Sequence, residues 1–256
     1  MDGLMEHTAT LSGRRVIVTG GGVGIGLGIA RRFARAGAHV AITTHSRPVE
    51  DVVEMLATEG IEVLGAQLDA RDSAQTDRVI DELAGRLGGL DVLVNNAGGL
   101  IARHRVAQMS DEYWDKVMAL NVASVFYASR AALRHLGEGG RIVTISSLAG
   151  KNGGGNGSAA YATAKAALDG FTRALAKEVA PDGITVNAIA PGLILDTPFH
   201  ETFTPAEAQQ QAINAIPLGR PGYPADVAAA AEYYARADSG FATGTSLDLN
   251  GGAYFA

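Results

Sequence analysis

Between Arg14 and Ala36 an apolar run, a cluster of glycines and an amphipathic segment follow one another without a break. Arg14 to Thr19 (RRVIVT) has the length and β-branched content of a buried strand. The stretch from about Gly24 to Ala36 repeats its apolar residues at helical spacing, and Gly37 supplies the stop. A strand that feeds straight into a helix cannot pair with its successor through a hairpin. The helix must cross over, and the next strand then lies parallel.

The same unit recurs along the chain. Strands are expected at His39 to Thr43, Glu62 to Ala66, Asp91 to Val94, Arg141 to Ser146, Thr185 to Ala190 and Ser246 to Leu249. Helices are expected at Val49 to Glu59, Ala74 to Leu87, Asp111 to Leu136, Ala159 to Val179 and Ala225 to Ala235. The resulting fold class is α/β: a single doubly wound, Rossmann-like sheet of seven mainly parallel strands with helices on both faces. One domain over 1–256 is expected, since a sheet of this kind and 256 residues suit one core. Residues 191–224 interrupt the rhythm, hold most of the eight prolines and read as a substrate lid.

Composition narrows the function. A net charge of -6 argues against a nucleic-acid surface, and no apolar stretch is long enough for a bilayer. With no cysteine there is neither a disulfide framework nor a thiolate metal site, and the six histidines form no H-E-x-x-H pair. The first residues show no secretory signal pattern, so a cytoplasmic location is expected.

The chemistry concentrates in a few segments. Thr19 to Gly26 (TGGGVGIG) lets the backbone turn tightly and approach a pyrophosphate, whose charge the following helix N-terminus stabilises. Its spacing is T-G-x-x-x-G-x-G, through Gly20, Gly24 and Gly26, rather than G-x-G-x-x-G. Tyr161 and Lys165 stand four apart on an expected helix, one turn from each other. A neighbouring ammonium favours the phenolate and so suits the tyrosine to acid/base work. Ser146 and Ser147 end the strand just before that helix, and alternation puts them on opposite faces.

Together with Asn95-Asn-Ala-Gly98 after the fourth strand and Pro191-Gly192 after the sixth, these segments resemble the short-chain dehydrogenase/reductase family over nearly the whole chain. The resemblance implies hydride transfer between a nicotinamide and a carbonyl or alcohol. It implies a catalytic tetrad of Asn121, Ser147, Tyr161 and Lys165: Ser147 on the substrate oxygen, Tyr161 as general acid/base, and Asn121 holding a relay water. It further implies cofactor contacts from Gly20, Gly24, Ile25, Gly26, Asp69, Asn95, Ala97, Gly98, Tyr161, Lys165, Pro191, Gly192 and Thr197. The second strand ends without an acid, in Thr44, His45, Ser46 and Arg47. Thr44, Ser46 and Arg47 suit a 2′-phosphate better than a bare ribose, so NADP is expected, with NAD the alternative.

The substrate is less constrained. Arg103 and Arg105 follow the NNAG loop, His200 lies in the lid, and a hydrophilic glycine loop precedes Tyr161. NNAGGL, GKNGGGNGSAAY and DTPFH are similar to segments of a branch containing keto-uronate reductases, which suggests a polar keto-sugar or sugar acid. A 3-oxoacyl thioester is the alternative, and a non-catalytic NADP(H)-binding sensor the alternative of another class. Relatives associate through the two long helices, so a homo-oligomer, tetramer or dimer, is expected. The Ser147–Tyr161 loop and the segment from Pro191 to Thr197 are each one residue longer than the family pattern.

Overall fold

In a computed structural model, residues 10–255 are described, apart from the side chains of 199–201. Seven strands form one sheet in the order β3-β2-β1-β4-β5-β6-β7. They are β1 (Arg15–Val18), β2 (His39–Thr44), β3 (Val63–Gln67), β4 (Val92–Asn95), β5 (Arg141–Ile145), β6 (Thr185–Pro191) and β7 (Ser246–Leu249). Every neighbouring pair is parallel. The reversal of strand order between β1 and β4 opens a crevice beyond their carboxyl ends.

The five inner strands are buried on both faces, β3 and β7 at the edges are half-buried, and alternation sorts the side chains into two cores. Val16 and Val18 join α1 (Gly24–Arg35), α2 (Val49–Thr58) and α10 (Pro224–Ala235), packing with Ile29, Phe33, Leu56 and Val227. Ile17, between them, faces the other way, toward Ile80 and Leu83 of α3 (Ser73–Leu87), Ala131 of α5 (Ser124–Ala132) and Leu175 of α7 (Ala159–Val179). Arg14 and Arg141 close the opposite end of the molecule, donating to backbone carbonyls of Ala235, Arg236 and Ala237 at the end of α10. There they satisfy acceptors that a helix C-terminus leaves open.

Two expected elements differ. The helix from Asp111 to Leu136 is divided: α4 (Asp111–Met118), a π-helical turn (Ala119–Ala123) and α5, which ends at Ala132. The segment 191–224 is not bare loop but carries α8 (Pro198–Phe203) and α9 (Ala206–Asn214). A further short helix, α6 (Ala149–Asn152), follows β5.

The leg that brings α9 back to the body rests on the turn after β7. Leu218 N donates to the Gly251 carbonyl at 3.1 Å. A methyl group at Gly251 would lie 2.6 Å from Ile216, and one at Gly252 3.1 Å from Pro217. Asn250 of the same turn lies against Gly192, where a Cβ would come within 2.9 Å of it. One turn therefore seats both the segment returning from α9 and the loop after β6.

Candidate active site

A cleft of about 1070 Å³ lies beyond the carboxyl ends of the strands. Its floor at one end is the β1–α1 turn. Gly20 adopts φ +65°, a conformation that L side chains avoid, and a Cβ there would meet Ala97 and Asn96 at 3.1 Å. Gly26 allows the helix to approach the turn, since a Cβ on it would fall 2.3 Å from the Gly20 carbonyl oxygen. α1 has no side-chain N-cap, and Gly22, Val23, Gly24 and Ile25 line the cleft. Its first N–H groups are thus available to an anion.

Thr19 and Asn96 hold that turn, and neither was assigned a role from the sequence. Thr19 Oγ1 accepts from the N–H groups of Asn96 at 3.0 Å and Ala97 at 3.1 Å. Asn96 Nδ2 donates to the carbonyls of Thr19 and Gly20, each at 3.0 Å. Asn95 corrects an expectation. It is buried with its Nδ2 donating to Ser129 Oγ at 3.0 Å, and it does not line the cleft. Gly26 likewise lies beneath the turn rather than on the cleft wall.

Thr44, His45, Ser46 and Arg47 line the cleft beside Asp69 and Arg71. Thr44 Oγ1 donates to Gln67 Oε1 at 3.1 Å. The Arg71 guanidinium, 2.6 Å from Asp69, holds that carboxyl down at about 2. Arg47 pairs with no carboxylate among the described residues and has Nη2 3.8 Å from Met55 Sδ. Among the described residues, the cleft wall carries Arg47, Arg71, Arg103, Lys116 and Lys165 against Asp69 alone, so their field favours anions.

At the inner end, β5 delivers Ser147 and α7 delivers Tyr161 and Lys165 to one place. The Ser147 hydroxyl hydrogen-bonds Tyr161. Burial raises the phenol to about 12 against the opposing pull of that bond, so Tyr161 carries its proton at neutral pH. Lys165 Nζ stands 5.7 Å from the Tyr161 ring centroid and donates to the Ile145 carbonyl at 2.8 Å. Burial lowers Lys165 to about 8. Ser146, on the other side of the strand end, donates to the Lys165 carbonyl at 3.0 Å and ties β5 to α7. Asn121 sits in the π-helical turn, fully buried behind Gly99 rather than on the cleft wall. A Cβ at Gly98 would lie 2.9 Å from Asn121 Oδ1 and 3.3 Å from Lys165 Nζ, so the NNAG loop is pressed against both.

Ala97, Gly98, Pro191, Gly192 and Thr197 line the cleft, the last with its hydroxyl donating to the Ile194 carbonyl at 2.9 Å. Arg103 lines it too, and its Nη1 donates to the Asn156 carbonyl at 3.1 Å in the loop before Tyr161. Arg105 is a correction: it is exposed at the start of a 3-10 turn and does not reach the cleft. The side chain of His200 lies outside the described residues.

Comparison with known proteins agrees with this geometry. Residues 21–254 match the family model described as enoyl-(acyl carrier protein) reductase. The chain is 36% identical to the short chain dehydrogenase/reductase AacuN of Aspergillus aculeatus, over 95% of this chain and 96% of that protein. It is 38% identical to the 3-oxoacyl-[acyl-carrier-protein] reductase of Escherichia coli, over 94% of this chain and 98% of that one. A short chain dehydrogenase from Burkholderia cenocepacia, solved in complex with NADP, superposes with a TM-score of 0.88 at 37% identity, covering 95% of this chain and 99% of its own. The chain belongs to the short-chain dehydrogenase/reductase family, and it is an NAD(P)-dependent oxidoreductase acting on carbonyl and CH–OH groups.

Proposed function

We propose that the chain is an NADP(H)-dependent reductase of a polar, anionic ketone such as a keto-sugar or sugar acid, working through Asn121, Ser147, Tyr161 and Lys165. The observation that carries the chemistry is the hydrogen bond between Ser147 and a protonated Tyr161 at the inner end of the cleft. A carbonyl oxygen placed between the two hydroxyls is polarised by Ser147 and receives the Tyr161 proton. NADPH, when bound, supplies the hydride. Lys165, one turn along α7, stabilises the phenolate that the transfer leaves behind. Asn121 positions the Gly99 backbone beside them.

The residues present fit the cofactor. The uncapped start of α1 and the Gly20–Ile25 turn suit a pyrophosphate. Ser46 and Arg47, which meets no carboxylate among the described residues, suit a 2′-phosphate at the end of β2, where no acid stands to receive a ribose hydroxyl. NADP is the reading we adopt, and NAD is its competitor.

For the substrate, Arg103 is the cation beside the loop that precedes Tyr161, and it keeps further N–H donors beyond the one given to Asn156. That favours a carboxylate or phosphate on the ketone. The second reading, a 3-oxoacyl thioester, draws on Leu100, Ile101, Leu148, Leu193 and Ile194, which give the same cleft an apolar wall. Residues 191–224 act as the lid of one catalytic domain. The protein works as a homo-oligomer, tetramer or dimer, in the cytoplasm. Among the described residues no helix is long and apolar enough to cross a membrane.

The test is NADPH and NADH oxidation with keto-uronates, neutral keto-sugars, 3-oxoacyl thioesters and ethyl acetoacetate, alongside Tyr161→Phe. Turnover that prefers NADPH and a keto-uronate, and that vanishes in Tyr161→Phe, supports the reading. Preference for the thioester moves the substrate to the second reading. Tight NADPH binding without turnover of any compound points to a non-catalytic sensor.

A further inference from the structure

Lys151 was visible in the sequence only as part of a glycine-rich loop. In the fold it stands in α6, and its Nζ lies 3.3 Å from Asp169 Oδ2 and 3.6 Å from Asp248 Oδ1. The three side chains are largely buried, at 17%, 11% and 23% exposure. Among the described residues, Asp169 Oδ1 and Asp248 Oδ1 have no hydrogen-bond partner, and Lys151 is the cation that pairs with each carboxylate. One ammonium thus joins α6, α7 and β7.

What α6 carries makes this more than an ordinary ion pair. The helix begins immediately after Ser147, and its Ala149 N–H donates to Ser147 Oγ at 3.1 Å. That bond fixes the rotamer from which the Ser147 hydroxyl meets Tyr161. On α7, Tyr161, Lys165 and Asp169 follow at four-residue intervals along one stripe. α6 lies directly on α7 at this level, where a Cβ on Gly150 would come within 2.7 Å of Ala166 N and 2.8 Å of the Lys165 carbonyl carbon. Glycine permits the approach but does not set its position along the helix. A side chain reaching one turn further, to Asp169, does.

We propose that Lys151 is a positioning residue: gripped by Asp169 and Asp248, it sets α6 against α7 and thereby aims Ser147 at Tyr161. This rests on Ser147 holding the substrate oxygen as proposed above. Lys151 touches neither the reacting atoms nor the glycine turn, so its loss acts on the turnover step and spares cofactor binding. Its effect is routed through one hydroxyl, which makes it separable from a general loss of packing.

The experiment is a double-mutant cycle of Lys151→Met and Ser147→Ala, following ethyl acetoacetate reduction and the KM for NADPH. Lys151→Met is expected to lower kcat about tenfold or more while the KM for NADPH stays within about twofold, and Lys151→Arg to recover most of the loss. In the Ser147→Ala background Lys151→Met is expected to cost less than about twofold. An unchanged kcat in Lys151→Met, or the same loss with and without Ser147, overturns the proposal. An unchanged kcat in Ser147→Ala overturns the role given to Ser147, and this proposal with it. If Lys151→Met does not fold, Asp248→Asn, which leaves the Lys151–Asp169 pair in place, enters the same cycle with a smaller expected loss and the same criteria.

Discussion

Asn121 grips Gly99 at both ends of its backbone: Oδ1 accepts the Gly99 N–H at 2.9 Å and Nδ2 donates to the Gly99 carbonyl at 3.0 Å. The same Nδ2 also donates to the Val117 carbonyl, one turn back, at 3.0 Å. All these groups lie around a fully buried side chain. Asn121→Ala leaves both Gly99 groups unpaired, which costs about 1–3 kcal/mol. Urea unfolding is expected to show that loss, and NADPH oxidation to fall by at least tenfold. A variant of wild-type stability and activity would show that the grip contributes nothing.

Lys165 separates stability from function. Its folded value of about 8 lies below the ordinary 10.5, so the native state binds fewer protons than the unfolded chain between those limits. Burying the charge therefore weakens the fold fully below pH 8, and stability rises with pH from 8 upward. Above pH 10 Tyr161, raised to about 12, acts in the opposite sense. Lys165→Met is expected to abolish turnover, to gain up to about 3 kcal/mol at neutral pH, and to lose the rise between pH 8 and 10. Thermal melts at pH 6, 8 and 10 decide it.

Arg47 reports on the cofactor. Arg47→Ala is expected to reduce kcat/KM for NADPH by roughly tenfold or more, since a desolvated charge pair to a phosphate contributes on the order of 1.4 kcal/mol or above. NADH should change by less than about threefold. Equal losses for both would remove the 2′-phosphate from its neighbourhood.

Arg103 reports on the substrate. Arg103→Met is expected to raise KM for a keto-uronate about tenfold and leave a neutral keto-sugar nearly unaffected. An unchanged KM for every anionic ketone would assign the arginine to its Asn156 contact alone.

The sequence carried the sheet because each strand alternates between two apolar cores, and it carried α7 to its observed ends, Ala159 and Val179. Asn95 shows how further use of the same rule would have helped. In β4, Val92 and Val94 face one core and Leu93 the other, so Asn95 continues on the face of Leu93, toward α5 and Ser129. Alternation thus singles out Asn96 as the residue that meets the cleft. The π-helical turn at Ala119–Ala123 had no such signal, because its residues are compatible with an α-helix. Its extra residue accompanies the tertiary bonds of Asn121 to Gly99 and Val117. α6 is four residues long and shows no period, and its place is set by Gly150 and Lys151 against α7. The exposure of Arg105, next but one to a cleft residue, likewise depends on a loop course that spacing does not encode.

The Asn250–Gly252 turn links two parts of the fold that are remote from each other in sequence. Gly192, on the cleft wall, and the segment from Ile216 to Leu218 rest on the same three residues. A displacement of that turn is therefore shared by the loop after β6 and the segment returning from α9, so the two shift as one piece and the mouth of the cleft widens or narrows on both at once.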